Sequence, residues 1–321
     1  MPPTTSPGTR RVGADAVPTA FVTGASRGIG RACAEALARA GFDVAVSART
    51  VTPGEAREHS STVARSDTSP LPGSLQETAA LVEAAGRTAL LVPADLTDAA
   101  SLGAAATRVL ERWGTVDVVV HNGRYIGPGH MDRLLDTPIE LIEKQIFANA
   151  IAPLILNQYL LPAMVAAGGG TIVNITSSSG YGDPTKPAGE GGWGVGYPMS
   201  KAAAHRIAGV LQVEHGHQGI RAYNVQPGFI NTERMAQDMG EFGFELIGAP
   251  PEVVGAVIAW VATDPDAEAY AGRTIEAQYL CHERGLLPGW AGPRPNTSAI
   301  AYDRSAATLE ALEARLRASG T

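Results

Sequence analysis

The sequence predicts an α/β fold, a single doubly wound parallel seven-stranded sheet with helices on both faces, and three observations lead to it. Short apolar runs alternate with helical patterns along most of the chain. The first run leads through a glycine-rich turn directly into a helical pattern, the order of a strand–turn–helix unit. The 321 residues are 45% hydrophobic, ample for one large core.

The predicted strands cover 19–23, 43–48, 88–92, 116–121, 171–176, 221–226 and 273–277, and the long helices 29–40, 139–166 and 197–215. Residues 1–17, rich in Pro, Thr and Gly, read as a flexible leader, 18–280 as the domain and 281–321 as a C-terminal extension. Two stretches exceed ordinary connections. The first, 50–73, carries Pro53, Pro70, Pro72 and many Ser/Thr residues and reads as a solvated insertion. The second, 181–196, has six glycines and is expected to border a substrate mouth, facing an apolar lid with Met235, Met239, Phe242, Phe244 and Leu246. In the extension, Leu286, Leu287 and Trp290 are expected to order against the body near that mouth, followed by a helix at 306–318.

Composition also excludes classes of function. A net charge of −7 with no basic block argues against nucleic acid. No apolar run reads as a membrane span. Two cysteines, Cys33 and Cys281, make no disulfide framework and point to a cytoplasmic location. Arg10–Arg11 is followed by Asp15 and Pro18 rather than an export signal. No metal site is expected.

The turn reads Thr23-Gly24-Ala25-Ser26-Arg27-Gly28-Ile29-Gly30. Glycines there let a backbone approach a pyrophosphate, and the following helix N-terminus faces its negative charge, so a Rossmann-type dinucleotide site is expected. Further along, Tyr197 and Lys201 stand four residues apart, on one helix face. Hydride transfer to a carbonyl leaves an alkoxide that needs a proton. A phenol loses its proton near pH 10, and an adjacent ammonium favours the phenolate.

The spacing Gly24-x-x-x-Gly28-x-Gly30, with Tyr197-x-x-x-Lys201, resembles the short-chain dehydrogenase/reductase family over roughly 18–280. The resemblance implies catalysis by Ser177, Tyr197 and Lys201. Ser177 is the serine three places before Gly180, and Ser178 is the alternative. Asn149 would help hold a water leading from Lys201, unless it sits on an exposed helix face. The cofactor would contact Gly24, Ser26, Arg27, Gly28, Ile29, Gly30, Asn122, Tyr197 and Lys201. Asp95 and Leu96 would meet its adenine, although Asp95 is also a turn former. Pro227 and Gly228 would also line the cofactor, and the Ile230 backbone and Thr232 would contact its nicotinamide carboxamide or its phosphates.

NAD-preferring members usually place an acid at the end of the second strand; here Ala48 is followed by Arg49, with Arg27 nearby. NADP(H) is therefore expected, with NAD(H) the alternative. The sequence departs from the family at His121-Asn122-Gly123-Arg124, where Asn-Asn-Ala-Gly is common. His121 reads as structural, and Arg124 as able to meet a phosphate or a polar substrate group. The implied activity is interconversion of a carbonyl and a secondary alcohol on a hydrophobic small molecule. A cofactor-binding regulatory protein, or a dehydratase or epimerase, are the alternatives. A homodimer or homotetramer through helices 139–166 and 197–215 is implied.

Overall fold

A computed structural model describes residues 17–243, 248–293 and 300–302. The order is β1 (Thr19–Thr23), α1 (Gly28–Arg39), β2 (Asp43–Ser47), α2 (Leu75–Ala84), β3 (Ala89–Leu91), α3 (Ala99–Trp113), β4 (Val118–His121), α4 (Ile139–Ile146), α5 (Ala152–Ala166) and β5 (Gly170–Ile175). It continues through β6 (Gly182–Pro184), α6 (Gly196–His215), β7 (Ile220–Gln226), α7 (Glu233–Asp238), α8 (Glu252–Thr263), β8 (Thr274–Glu276), α9 (Ala277–Glu283) and β9 (Ile300–Tyr302). Seven strands make one parallel sheet in the order β3-β2-β1-β4-β5-β7-β8. All seven predicted strands are there, shortened at some ends.

The sheet's strands are short and mostly buried because helices cover both faces. One face packs Cys33, Leu37, Val82, Val253 and Ile258 from α1, α2 and α8. The other packs Leu102, Val109, Leu156, Leu160 and Ile207 from α3, α5 and α6. The strand order reverses at β1, whose Ala20–Val22 pair with β2 on one side and β4 on the other. Such a reversal opens a crevice at the carboxyl ends of the strands, where the glycine-rich turn lies.

The helix expected at 139–166 is one continuous helical run with a π-helical turn at Phe147–Ile151. By length and apolar composition this run could cross a membrane, contrary to the sequence reading, yet 44% of its apolar stretch is buried inside the body. Leu156, Leu160 and Met164 are fully enclosed in the core, which accounts for their apolarity.

The 50–73 insertion differs in part from expectation, because its middle folds across the domain while much of the rest stays exposed. His59, Ser60 and Ser61 are buried. The Asp132 carboxylate accepts from the Thr62 hydroxyl at 2.5 Å, Val63 N–H at 2.9 Å and Gly129 N–H at 3.0 Å. Arg234 on α7 donates to the Ser61 hydroxyl at 2.6 Å and to the His59 carbonyl. These distant partners satisfy a polar loop that has no secondary structure of its own.

The extension divides in two. Leu286, Leu287 and Trp290 pack against the core that α1, α2 and α8 share, none of them lines the cleft, and Arg284 lies 4.7 Å over the Trp260 ring. Beyond them, β9 pairs antiparallel with β6 in the 181–196 insertion. The leader up to residue 16, the helix at 306–318, and Phe244 and Leu246 of the lid lie outside the described residues.

Candidate active site

Close packing builds the site from the sheet upward. Asn122, just after β4, donates from Nδ2 to the carbonyls of Thr23 at 3.0 Å and Gly24 at 3.2 Å, tying the glycine-rich turn to the next strand. Gly24 has φ +65°, and a Cβ there would lie 2.7 Å from the Gly123 Cα. A Cβ on Gly30 would meet the Gly24 carbonyl oxygen at 2.2 Å, so only glycine lets α1 start this close to β1. No side chain caps the N-terminus of α1, which leaves its first N–H groups available to an anion.

Ser177 follows β5, and its hydroxyl lies 2.8 Å from that of Ser179. Gly180 then passes so close to α6 that a Cβ would sit 2.8 Å from the Lys201 carbonyl carbon. Lys201 is buried, with Nζ donating to the Ile175 carbonyl at 2.8 Å. Burial, with the Arg124 charge second, pulls its pKa down to about 7. The ammonium lies 6.0 Å from the Tyr197 ring centre.

Asn149 is buried at the centre of the π-turn, not on an exposed face. Its Oδ1 accepts the Tyr125 N–H at 2.6 Å, and its Nδ2 donates to the Ser200 hydroxyl at 2.8 Å. Ser200 in turn donates to the Tyr197 carbonyl at 2.7 Å. The π-turn thus anchors the start of α6.

One cleft joins the two ends of the predicted site. Gly24, Ser26, Arg27, Gly28, Ile29, Arg49, Asp95, Leu96, Asn122, Tyr197, Lys201, Pro227 and Thr232 all line it. Gly30, Ser177, Asn149, Gly228 and Ile230 are not on its wall: Gly30 backs the turn, Ile230 is buried, and Gly228 turns at φ +71° beneath Gln278. Asp95 accepts from the Thr97 N–H and hydroxyl, both at 2.8 Å, so it also forms its own turn. Arg27 points its guanidinium at the insertion, donating to the Pro72 carbonyl at 2.8 Å and the Gly73 carbonyl at 2.9 Å.

Sequence reasoning missed the insertion's share of the wall, which includes Glu55, Arg57, Glu58 and His59. Arg57 bridges the Arg49 carbonyl and Glu55. It also missed the group around Tyr197, where His130 and Trp193 each stack with ring centres 4.8 Å away. His121 is structural: it is buried, meets Asn157 Oδ1 at 2.8 Å, and burial lowers its pKa to about 4.

The sequence model of the short chain dehydrogenase family matches residues 18–68 and 62–241. L-rhamnose 1-dehydrogenase (NAD(P)(+)) of a Sphingomonas species is 30% identical over 77% of this chain and 89% of its own. Sorbitol dehydrogenase of Cereibacter sphaeroides is 30% identical over 67% and 71%. A metagenomic short-chain oxidoreductase solved in complex with NADP superposes with a TM-score of 0.61 at 26% identity, covering 81% of this chain and 95% of that one. The chain belongs to the short-chain dehydrogenase/reductase family.

A buried ammonium generates a prediction. Lys201 holds its proton less tightly folded, near pH 7, than unfolded, near 10.5, so the unfolded chain binds the extra proton between those values. The destabilisation from Lys201 is full below pH 7 and fades as pH rises toward 10.5. Lys201→Met should therefore raise the melting temperature of the ligand-free protein more at pH 6 than at pH 9.5. An equal change at both pH values would contradict this.

Proposed function

We propose that this protein is an NADP(H)-dependent oxidoreductase that interconverts a carbonyl and a secondary alcohol on a hydrophobic small molecule. The observation that carries the reading is the single cleft running from the glycine-rich turn to Tyr197 and Lys201. A dinucleotide fits the chain's own residues: the turn is a cradle that a Cβ would fill, beside an uncapped helix N-terminus. When bound, the nicotinamide supplies a hydride to the carbonyl carbon or accepts it back.

Reduction also consumes one proton. Tyr197 delivers it from its hydroxyl to the carbonyl oxygen, and Lys201, behind the ring, favours the phenolate that remains. Ser177 turns its hydroxyl from Ser179 to the substrate oxygen and holds it within reach of Tyr197. Asn149 fixes the helix start that carries Tyr197, through Ser200. Ile230 and Thr232 serve the nicotinamide end, and Asp95 and Leu96 the adenine end.

Two relatives are named for a sugar and a polyol, whereas Met131, Met235, Trp193, Phe229 and Phe242 form an apolar group beside Tyr197 here. That group favours a hydrophobic ketone or alcohol. Arg49, on the cleft wall where an acid would repel a 2′-phosphate, favours NADP(H). Ile151, Leu154, Tyr159, Met199, Val210 and Val213 expose apolar side chains on α6 and on the α4–α5 run, supporting pairing of two copies there. Two free, buried cysteines support a cytoplasmic location.

Tyr197→Phe should lower turnover at least about a hundredfold while NADPH binding changes little. Ser177→Ala should be similarly damaging and Ser178→Ala mild; the reverse order would assign the role to Ser178. Unaltered turnover in Tyr197→Phe would remove the proton-transfer mechanism.

NADPH should bind at least about tenfold more tightly than NADH, or about 1.4 kcal/mol. Arg49→Asp should narrow or reverse that gap in a fluorescence titration. Equal affinities in the wild type would refute the preference.

A further inference from the structure

Arg124 follows β4 on the cleft wall, and its side chain sets the charge of the reacting end. Its guanidinium carbon is 5.9 Å from the Tyr197 ring centre, on a wall that also holds Lys201 and Arg234. One guanidinium nitrogen is fixed at 3.2 Å from both the Tyr125 carbonyl and His130 Nε2.

The anchor is rigid. Arginine only donates, so His130 Nε2 accepts and the ring's proton sits on Nδ1. His130 is buried, its ring centre 5.2 Å from Trp193, edge to face, and 4.8 Å from Tyr197, and burial together with Arg124, Arg234 and Lys201 keeps it well below its ordinary pKa. A neutral ring thus orients the guanidinium without competing for its charge.

Arg124 therefore brings a permanent charge to a partly buried cleft end, with Arg234 and Lys201 close enough to act on the same His130 ring. Arginine cannot shed its charge there. An anion arriving with the substrate would be held by a planar, oriented donor beside the reacting oxygen. The apolar group continuing from Trp193 would take the rest of the molecule.

We infer that Arg124 is a specificity residue that binds the carboxylate of an oxo acid, or of the corresponding hydroxy acid, whose reacting carbonyl lies close to that carboxylate and whose body is apolar. The inference rests on the oxidoreductase reading and narrows its substrate class.

The test uses benzoylformate and its methyl ester, which differ by the one charge. Dissociation constants are measured on the protein loaded with NADP+, and kcat/KM with NADPH, for the wild type, Arg124→Gly and Arg124→Lys. The wild type should prefer the acid over the ester at least about tenfold in both measurements. Arg124→Gly should lower the acid-to-ester ratio at least about thirtyfold, chiefly through KM, and Arg124→Lys should restore part of it.

An acid-to-ester ratio that is the same in the wild type and Arg124→Gly would overturn the inference. So would a loss of tenfold or more in NADPH affinity with that ratio unmoved, which would make Arg124 a cofactor ligand. If Arg124→Gly does not fold, the wild type and Arg124→Lys decide, because a wild type indifferent to the charge is itself a refutation. Carboxylate-selective binding with no turnover of either probe would support the charge inference and count against the oxidoreductase reading alone.

Discussion

The contact on which the site depends is the approach of the glycine-rich turn to the end of β4. Asn122 holds the Thr23 and Gly24 carbonyls, and Gly24, Gly30 and Gly123 leave no room for a side chain between the two backbones. That contact sits where the strand order reverses, so the crevice created by the topology is also where α1 presents its uncapped N-terminus. A wider turn would separate the glycine-rich end of the cleft from Tyr197 and Lys201.

The far end is held by burial. Lys201 stays inside because the Ile175 carbonyl accepts from it and Gly180 lets the loop after β5 lie against α6. Tyr197 is packed between His130 and Trp193 and anchored through Ser200 to Asn149 in the π-turn. A π-turn inside a long helix is an uncommon feature that often marks a functional position, and here it turns a buried amide toward both Tyr125 and α6.

Much of this was legible in the sequence. The alternation of apolar runs located every strand of the sheet, and the glycine and Tyr-Lys spacings located both ends of the cleft, since each depends on residues close together in the chain. The 50–73 segment was misread because its order comes from Asp132 and Arg234, far away in sequence, and Ser/Thr-rich composition carries no trace of such partners. His130 and Trp193 were missed for the same reason. The turn of Arg27 toward Pro72 and Gly73 was likewise invisible. The tail's apolar residues were correctly expected to pack, but the sequence could not say that the core beneath α1, α2 and α8, and not the cleft wall, would receive them.

The insertion supplies Glu55, Arg57, Glu58 and His59 to the cleft wall, and Arg124 lies at its Tyr197 end. The proposed function needs one cleft for both the dinucleotide and the proton-transfer residues, with Arg124 turned to the substrate. A crystal structure of the NADPH complex tests this most directly. It should show the pyrophosphate against the Gly24–Gly30 turn and the nicotinamide beside Tyr197, with the Arg124 guanidinium still at His130. A nicotinamide displaced from Tyr197 by Arg124, or a pyrophosphate bound away from the turn, would contradict the account.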